Sequence, residues 1–240
     1  MRDKLSEEYM RTLYYSYDEL IYMYACSLAA DKISIELERD GDEGLSGFWK
    51  FYIRNFYFRN FIPRFWSILD YLSFMVYQLS AGELIPEIIN KEPRQVSYID
   101  FEKNFNEKLK IDFENDIGWL SSNDRKFILS SFKKPFKNIT PYGKELIKRY
   151  RDIITHRYLP GIDEMTISSE IVGSKTRTSE YGKLYSIGYD KKKYDYYGVP
   201  EFKFSTLIKI AKILLVNLTE ILNDFASLEV MSSIIKIEKF

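Results

Sequence analysis

The chain has one histidine, His156, within the segment Arg151-Asp152-Ile153-Ile154-Thr155-His156-Arg157-Tyr158. Imidazole is the side chain whose ordinary pKa lies near neutral pH, so proton transfer by this chain near neutrality falls first to His156. Its neighbours are of the types that phosphodiester chemistry needs. On a helix, Asp152 lies four residues before His156 and on the same face. A carboxylate there would orient the imidazole and favour its protonated form. A position in the last turn of a helix favours a cation as well. Both effects suit a proton donor. Arg151 offers a planar fork of paired donors and keeps its charge at any working pH. It stands about 140° from His156 around a straight helix at ~100° per residue. The two converge on one ligand only through the reach of the arginine, a distorted helix end or a second copy of the site. An arginine and a protonatable histidine form a minimal set for cutting RNA without a metal. The ribose supplies its own nucleophile, and the protein stabilises charge on phosphorus and moves protons. Lys148, Arg149 and Arg157, with Lys144, would add a local basic patch for the substrate.

The elements that carry this segment read as mostly helical. Apolar residues recur at helical spacing from about Ser6 to Glu38, and Asp40-Gly41-Asp42-Glu43-Gly44 supplies a turn. A second segment, Phe48 to Ser80, is dense in aromatics, and Pro63 is expected to kink or split it. The stretch from Glu83 to Asn123 is irregular, with short helices at most. Asn123 or Asp124 caps a helix running to about Phe132. Thr140 fits an N-cap and Pro141 the first helical position of a helix running to about Leu159, where Pro160-Gly161 ends it. Two strands are expected at 166–172 and 183–189. A strongly amphipathic helix spans about 204–228, and residues 231–240 fit helix or strand. The simplest organisation is one domain over 1–240, mainly α, with a small β-hairpin insertion at about 165–197.

Arg151, four intervening residues, His156, one residue and Tyr158 form an R-x4-H-x-Y pattern with a polar residue directly after the arginine. In this the chain resembles the HEPN superfamily, above all its toxin-type ribonucleases. The resemblance implies a HEPN-like helical bundle acting as a homodimer, with the motifs of two subunits facing one another. It implies metal-independent endoribonuclease activity in a toxin–antitoxin or other defence setting. Arg151 and His156 would then be catalytic and Asp152 an accessory residue, although that position is more often asparagine or histidine in the family. Tyr158 matches the tyrosine that a nucleotidyltransferase antitoxin adenylylates in one subgroup. Small HEPN toxins are much shorter than this chain, and the resemblance does not account for the aromatic segment, the irregular middle or the 165–197 insertion.

Composition narrows the alternatives. With 45% hydrophobic and 29% charged residues and a formal net charge of +0, the chain reads as globular without a global basic field, so an RNA site must be a local patch. One cysteine excludes an internal disulfide, and one histidine with one cysteine argues against zinc, so no metal or cofactor is expected. The charged start lacks a signal-peptide pattern, and charges interrupt every apolar run, which points to a cytoplasmic chain without a membrane span. Arg54, Arg59 and Arg64 among the aromatics of 48–61 admit base stacking, but packing in the core or a dimer face is the plainer reading. Lys191-Lys192-Lys193 reads as a solvated turn. Cys26 is expected to be buried and not nucleophilic. The alternative to an enzyme is a catalytically inactive HEPN-like module that binds RNA, nucleotide or a partner protein. A third reading is a purely structural helical protein with an incidental histidine.

Overall fold

In the computed structural model, described over residues 2–80, 97–100, 118–156, 162–163, 175–178, 184–187, 202–229 and 231, the chain is mainly helical. Helix α1 (Arg2–Arg39) ends at Gly41, whose φ of 82° is the left-handed conformation that glycine adopts without strain. Asp42 caps the short α2 (Glu43–Gly47) by accepting from the Leu45 N–H at 3.0 Å. A π-helical segment, Phe48–Arg54, then runs directly into α3 (Asn55–Leu79). The remaining helical elements are α4 (Tyr98–Asp100), α5 (Ser122–Ser131), α6 (Pro141–His156) and α7 (Phe204–Ala226). Two four-residue strands, β1 (Lys175–Thr178) and β2 (Leu184–Ile187), pair antiparallel, with Lys175 opposite Ile187. The strand expected at 166–172 lies outside the described residues, as do most of 83–117 and nearly all of 231–240.

Helix α3 is the centre of the fold. Phe58, Phe61, Phe65, Leu69, Leu72 and Val76 recur at three- and four-residue steps and are fully buried. Each such side chain contributes about 1.5–3 kcal/mol of hydrophobic stabilisation. Helix α1 lies along α3 and the π segment. Helix α7 closes the core with Leu207, Leu214, Leu218, Ile221 and Phe225. The aromatic segment therefore divides by face. Phe58 and Phe61 enter the core, whereas Phe48, Tyr52 and Phe56 stay exposed.

Pro63 does not divide this segment, because α3 is continuous through it. The irregularity falls earlier, in the π turn. Ser46 and Arg54 are both buried and stand eight residues apart, whereas two α-turns span about 7.2 residues. The wider π turn absorbs the extra residue and keeps both side chains inward. The next helix also starts differently from expectation. Ser121, not Asn123 or Asp124, caps α5: its hydroxyl accepts from the Asp124 N–H at 3.1 Å, while Asp124 accepts in return from the Ser121 N–H. Cys26 is half-buried and not sealed in the core.

The inward side chain of Arg54 holds three parts of the chain together. Its Nη1 meets Asp31 of α1 at 2.8 Å and its Nη2 meets Asp163 at 2.9 Å. Nη2 also donates to the Ile162 carbonyl at 3.4 Å, which accepts from Asn55 at 3.1 Å as well. The Nε donates to Asn55, and the guanidinium lies over the Phe204 ring, 4.4 Å from its centroid. Asp163, with φ of 57°, accepts in turn from the Phe204 N–H at 3.1 Å, at the positive end of α7. Removing the guanidinium strands two partly buried carboxylates, and breaking a buried pair in this way costs about 3–5 kcal/mol. Arg54→Ala is expected to lower unfolding stability by that amount, measured by urea denaturation. Arg54→Lys should recover little, because one ammonium cannot replace a fork that spans Asp31, Asp163 and a carbonyl. A loss under ~1 kcal/mol for Arg54→Ala would mean that this cluster does not hold the fold.

Candidate active site

The site begins at Thr140. Its hydroxyl accepts from the Gly143 N–H at 3.1 Å and its carbonyl from the Lys144 N–H at 3.0 Å, with Pro141 at the first helical position. Gly143 is required by space: a β-carbon there would lie 2.9 Å from the Ile139 side chain. Helix α6 then buries Leu146, Ile147, Tyr150 and Ile153 on one face. Tyr150 locks the helix in place by meeting Phe58 edge-on at 5.9 Å and Phe202 at 4.9 Å. This inward face leaves Lys144, Glu145, Lys148, Arg149 and Asp152 exposed.

Arg151 lies between the two faces and is half-buried. Its guanidinium lies over the indole of Trp66 on α3, 4.4 Å from the ring centroid. Trp66 is itself packed against Phe136 at 5.4 Å, Tyr98 at 6.0 Å and Phe65 at 6.2 Å. This contact holds the guanidinium against the indole.

Among the sequence-derived site residues, Arg151, Asp152, Lys148 and Arg149 are thus on the described part of α6. His156 is its last residue, although its side chain is outside the described residues; Arg157 and Tyr158 are outside them entirely. The helix remains α through His156, so a distorted end does not rotate His156 toward Arg151. Convergence of the two rests on arginine reach or on a second copy. The basic patch is weaker than the lysines and arginines alone implied, since the exposed carboxylates of Glu145 and Asp152 interleave with Lys144, Lys148 and Arg149.

The position of the histidine is bracketed on both sides. Upstream, Tyr150 packs on Phe202. Downstream, Ile162 forms a parallel bridge with Phe202, and Asp163 N–H donates to the Phe202 carbonyl at 2.9 Å. Two anchors therefore converge on one aromatic residue, with His156 between them in sequence.

Sequence reasoning did not identify Trp66 as the platform for Arg151, because no local spacing links residues on different helices. Nor did it assign Arg54 its role. The arginines of the aromatic segment do not form a stacking array: Arg54 is in the core, and Arg64 pairs with Glu19. Among the described residues, no group of three or more His, Cys, Asp or Glu could hold a metal. No helix among them is long and apolar enough to cross a membrane. No protein-family profile, curated protein or solved structure matches this chain.

A double-mutant cycle tests the arginine–indole contact. Arg151→Ala, Trp66→Leu and the double variant should show a coupling of about 1 kcal/mol in urea unfolding. Additivity within ~0.3 kcal/mol would show that the stacking carries no energy.

Proposed function

We propose that the chain is a metal-independent endoribonuclease of the HEPN type, working as a homodimer in a toxin or defence system. The observation that carries this reading is the R-x4-H-x-Y pattern at the C-terminal end of α6, a helix that is capped and core-anchored as the pattern needs. The last-turn position of His156 supports a protonated imidazole. The exposed Asp152 one turn earlier supports it further. The stack on Trp66 supports a guanidinium held ready for charge that develops on phosphorus.

In the proposed reaction the ribose 2′-hydroxyl attacks the adjacent phosphorus and loses its proton to a base. The new O2′–P bond closes a 2′,3′-cyclic phosphate as the P–O5′ bond breaks. His156 gives its proton to the departing 5′-oxygen, and Arg151 stabilises the charged phosphorane. The base is water or the imidazole of a second copy, which completes the balance of protons. Lys148, Arg149 and Arg157 hold the RNA backbone, and Tyr158 is the residue that a nucleotidyltransferase antitoxin would modify. A cytoplasmic location and a hairpin inserted between α6 and α7 belong to the same proposal.

The contact between Arg151 and Trp66 also favours a second reading. An arginine committed to packing serves an inactive module that binds RNA, nucleotide or a partner protein. Incubation of wild type, His156→Ala and Arg151→Ala with a broad set of RNAs in EDTA separates the two. The enzyme reading predicts cleavage to cyclic-phosphate ends by wild type and a loss of at least ~10²-fold in each variant. Equal cleavage by all three proteins, or none by wild type with RNA binding retained, contradicts it.

A further inference from the structure

Among the described residues, helix α1 carries an apolar stripe that stays largely exposed, although Tyr22 meets Tyr57 of α3 edge-on at 5.9 Å. Tyr14, Ile21, Leu28 and Ile35 recur every seven residues and are each exposed by two-fifths or more. Tyr15 and Tyr22 flank them, at 63% and 61% exposure. Ala25 and Ala29 lie exposed in the middle. Taking about 200 Å² for each large side chain, the six large residues leave on the order of 600 Å² in water. That is the upper end for a monomer's largest apolar patch and close to the ~800 Å² per partner of a stable interface.

The charges along the stripe identify the occupant. Asp18 and Lys32 are both exposed and stand seven residues to either side of Ala25. Among the described residues Lys32 pairs with Glu36 on its own helix, loosely, at 3.9 Å. An antiparallel second copy with its two-fold axis at Ala25 brings Asp18 beside Lys32 of the partner subunit, and Lys32 beside the partner's Asp18. The same axis sets Ile21 against the partner's Ala29 and Tyr22 against the partner's Leu28. The small alanines let the helices approach closely. A parallel pairing would set Asp18 against Asp18 and Lys32 against Lys32. Of the like-charged pairs that this axis makes on α1, Arg11 with Arg39 falls at the outer ends of the seam, and Glu19 with Asp31 lies off it, each acid paired within its own copy with Arg64 or Arg54. The Tyr22 hydroxyl, raised to about 12 by hydrogen bonds to Cys26 and Tyr57, adds no charge at ordinary pH.

We propose that two copies of this chain associate through the exposed face of α1, antiparallel, about a two-fold axis at Ala25. This interface is separate from the α6 site. On α3, Tyr57, Phe61 and Arg64 meet α1. Trp66, which carries Arg151, lies about 180° around α3 from Tyr57 at ~100° per residue. Pairing through α1 therefore leaves the α6 end of each copy uncovered, so this interface is additional to any pairing of α6 sites that RNA cleavage would use, and Leu28→Glu tests it apart from cleavage.

Sedimentation of the full chain at about 100 μM, which populates any dimer with Kd below ~10 μM, should give at least twice the mass of one chain. Leu28→Glu should halve that mass with unchanged helical circular dichroism. Asp18→Lys should weaken the dimer at least tenfold, and adding Lys32→Asp should restore it. In a Cys26→Ser background, Ala25→Cys should form a disulfide dimer on mild oxidation. Asp18→Cys should not, since the two copies of residue 18 lie about 21 Å apart along the seam and a disulfide needs Cα atoms within ~7 Å. A monomeric wild type would mean that another part of the chain covers the stripe, and would overturn the proposal. A mass that Leu28→Glu leaves unchanged, or a cross-link through residue 18, would place the interface elsewhere or in parallel and overturn the proposal.

Discussion

The described fold depends on one buried guanidinium. Arg54 has almost no contact with water, yet it reaches Asp31 on α1, Asp163 beyond α6 and the Ile162 carbonyl. A cation in that position is tolerable only if its donors are matched, and here two carboxylates, a side-chain amide and a backbone carbonyl match them. The π turn delivers the side chain inward. The left-handed Asp163 turns the returning carboxylate both to the guanidinium and to the first N–H of α7. Helices α1, α3 and α7 and the segment after α6 thus meet at one charge.

That charge also bears on the candidate site. The chain from His156 must reach Ile162 in six residues, and Ile162 is held by Arg54, Asn55 and the bridge to Phe202. Tyr150 meets the ring of the same Phe202 edge-on. The described part of α6 and the segment at 162–163 are thus both tied to the core at Phe202. Arg151 is fixed by a separate device, the indole of Trp66.

The helices were legible in the sequence wherever cap chemistry and apolar spacing agreed. Thr140 and Pro141 placed the start of α6 correctly, and the apolar face of residues 204–228 placed the start of α7 at Phe204 and its end two residues beyond Ala226. The start of α5 was less determinate, because Ser121, Ser122, Asn123 and Asp124 are all capable caps and only the reciprocal bond between Ser121 and Asp124 decides among them. Pro63 does not split α3, because a proline removes one helical donor but need not end a helix that is packed in the core. The π turn, the Arg54 cluster and the Trp66 platform were not legible. Each depends on residues brought together from distant parts of the chain, and no local periodicity encodes them.

The site's motif was readable only as a pattern, and its chemistry turns on whether His156 and Arg151 act on one phosphate. Because the chain has a single histidine, every imidazole signal in a proton–nitrogen NMR spectrum belongs to it. A 2′-O-methyl RNA, which lacks the nucleophile and cannot be cut, should shift those signals and raise the imidazole pKa beyond its value in the free protein. Arg151→Ala should remove the response. An imidazole that titrates identically with and without the oligonucleotide, in a protein shown to bind it, would contradict the account.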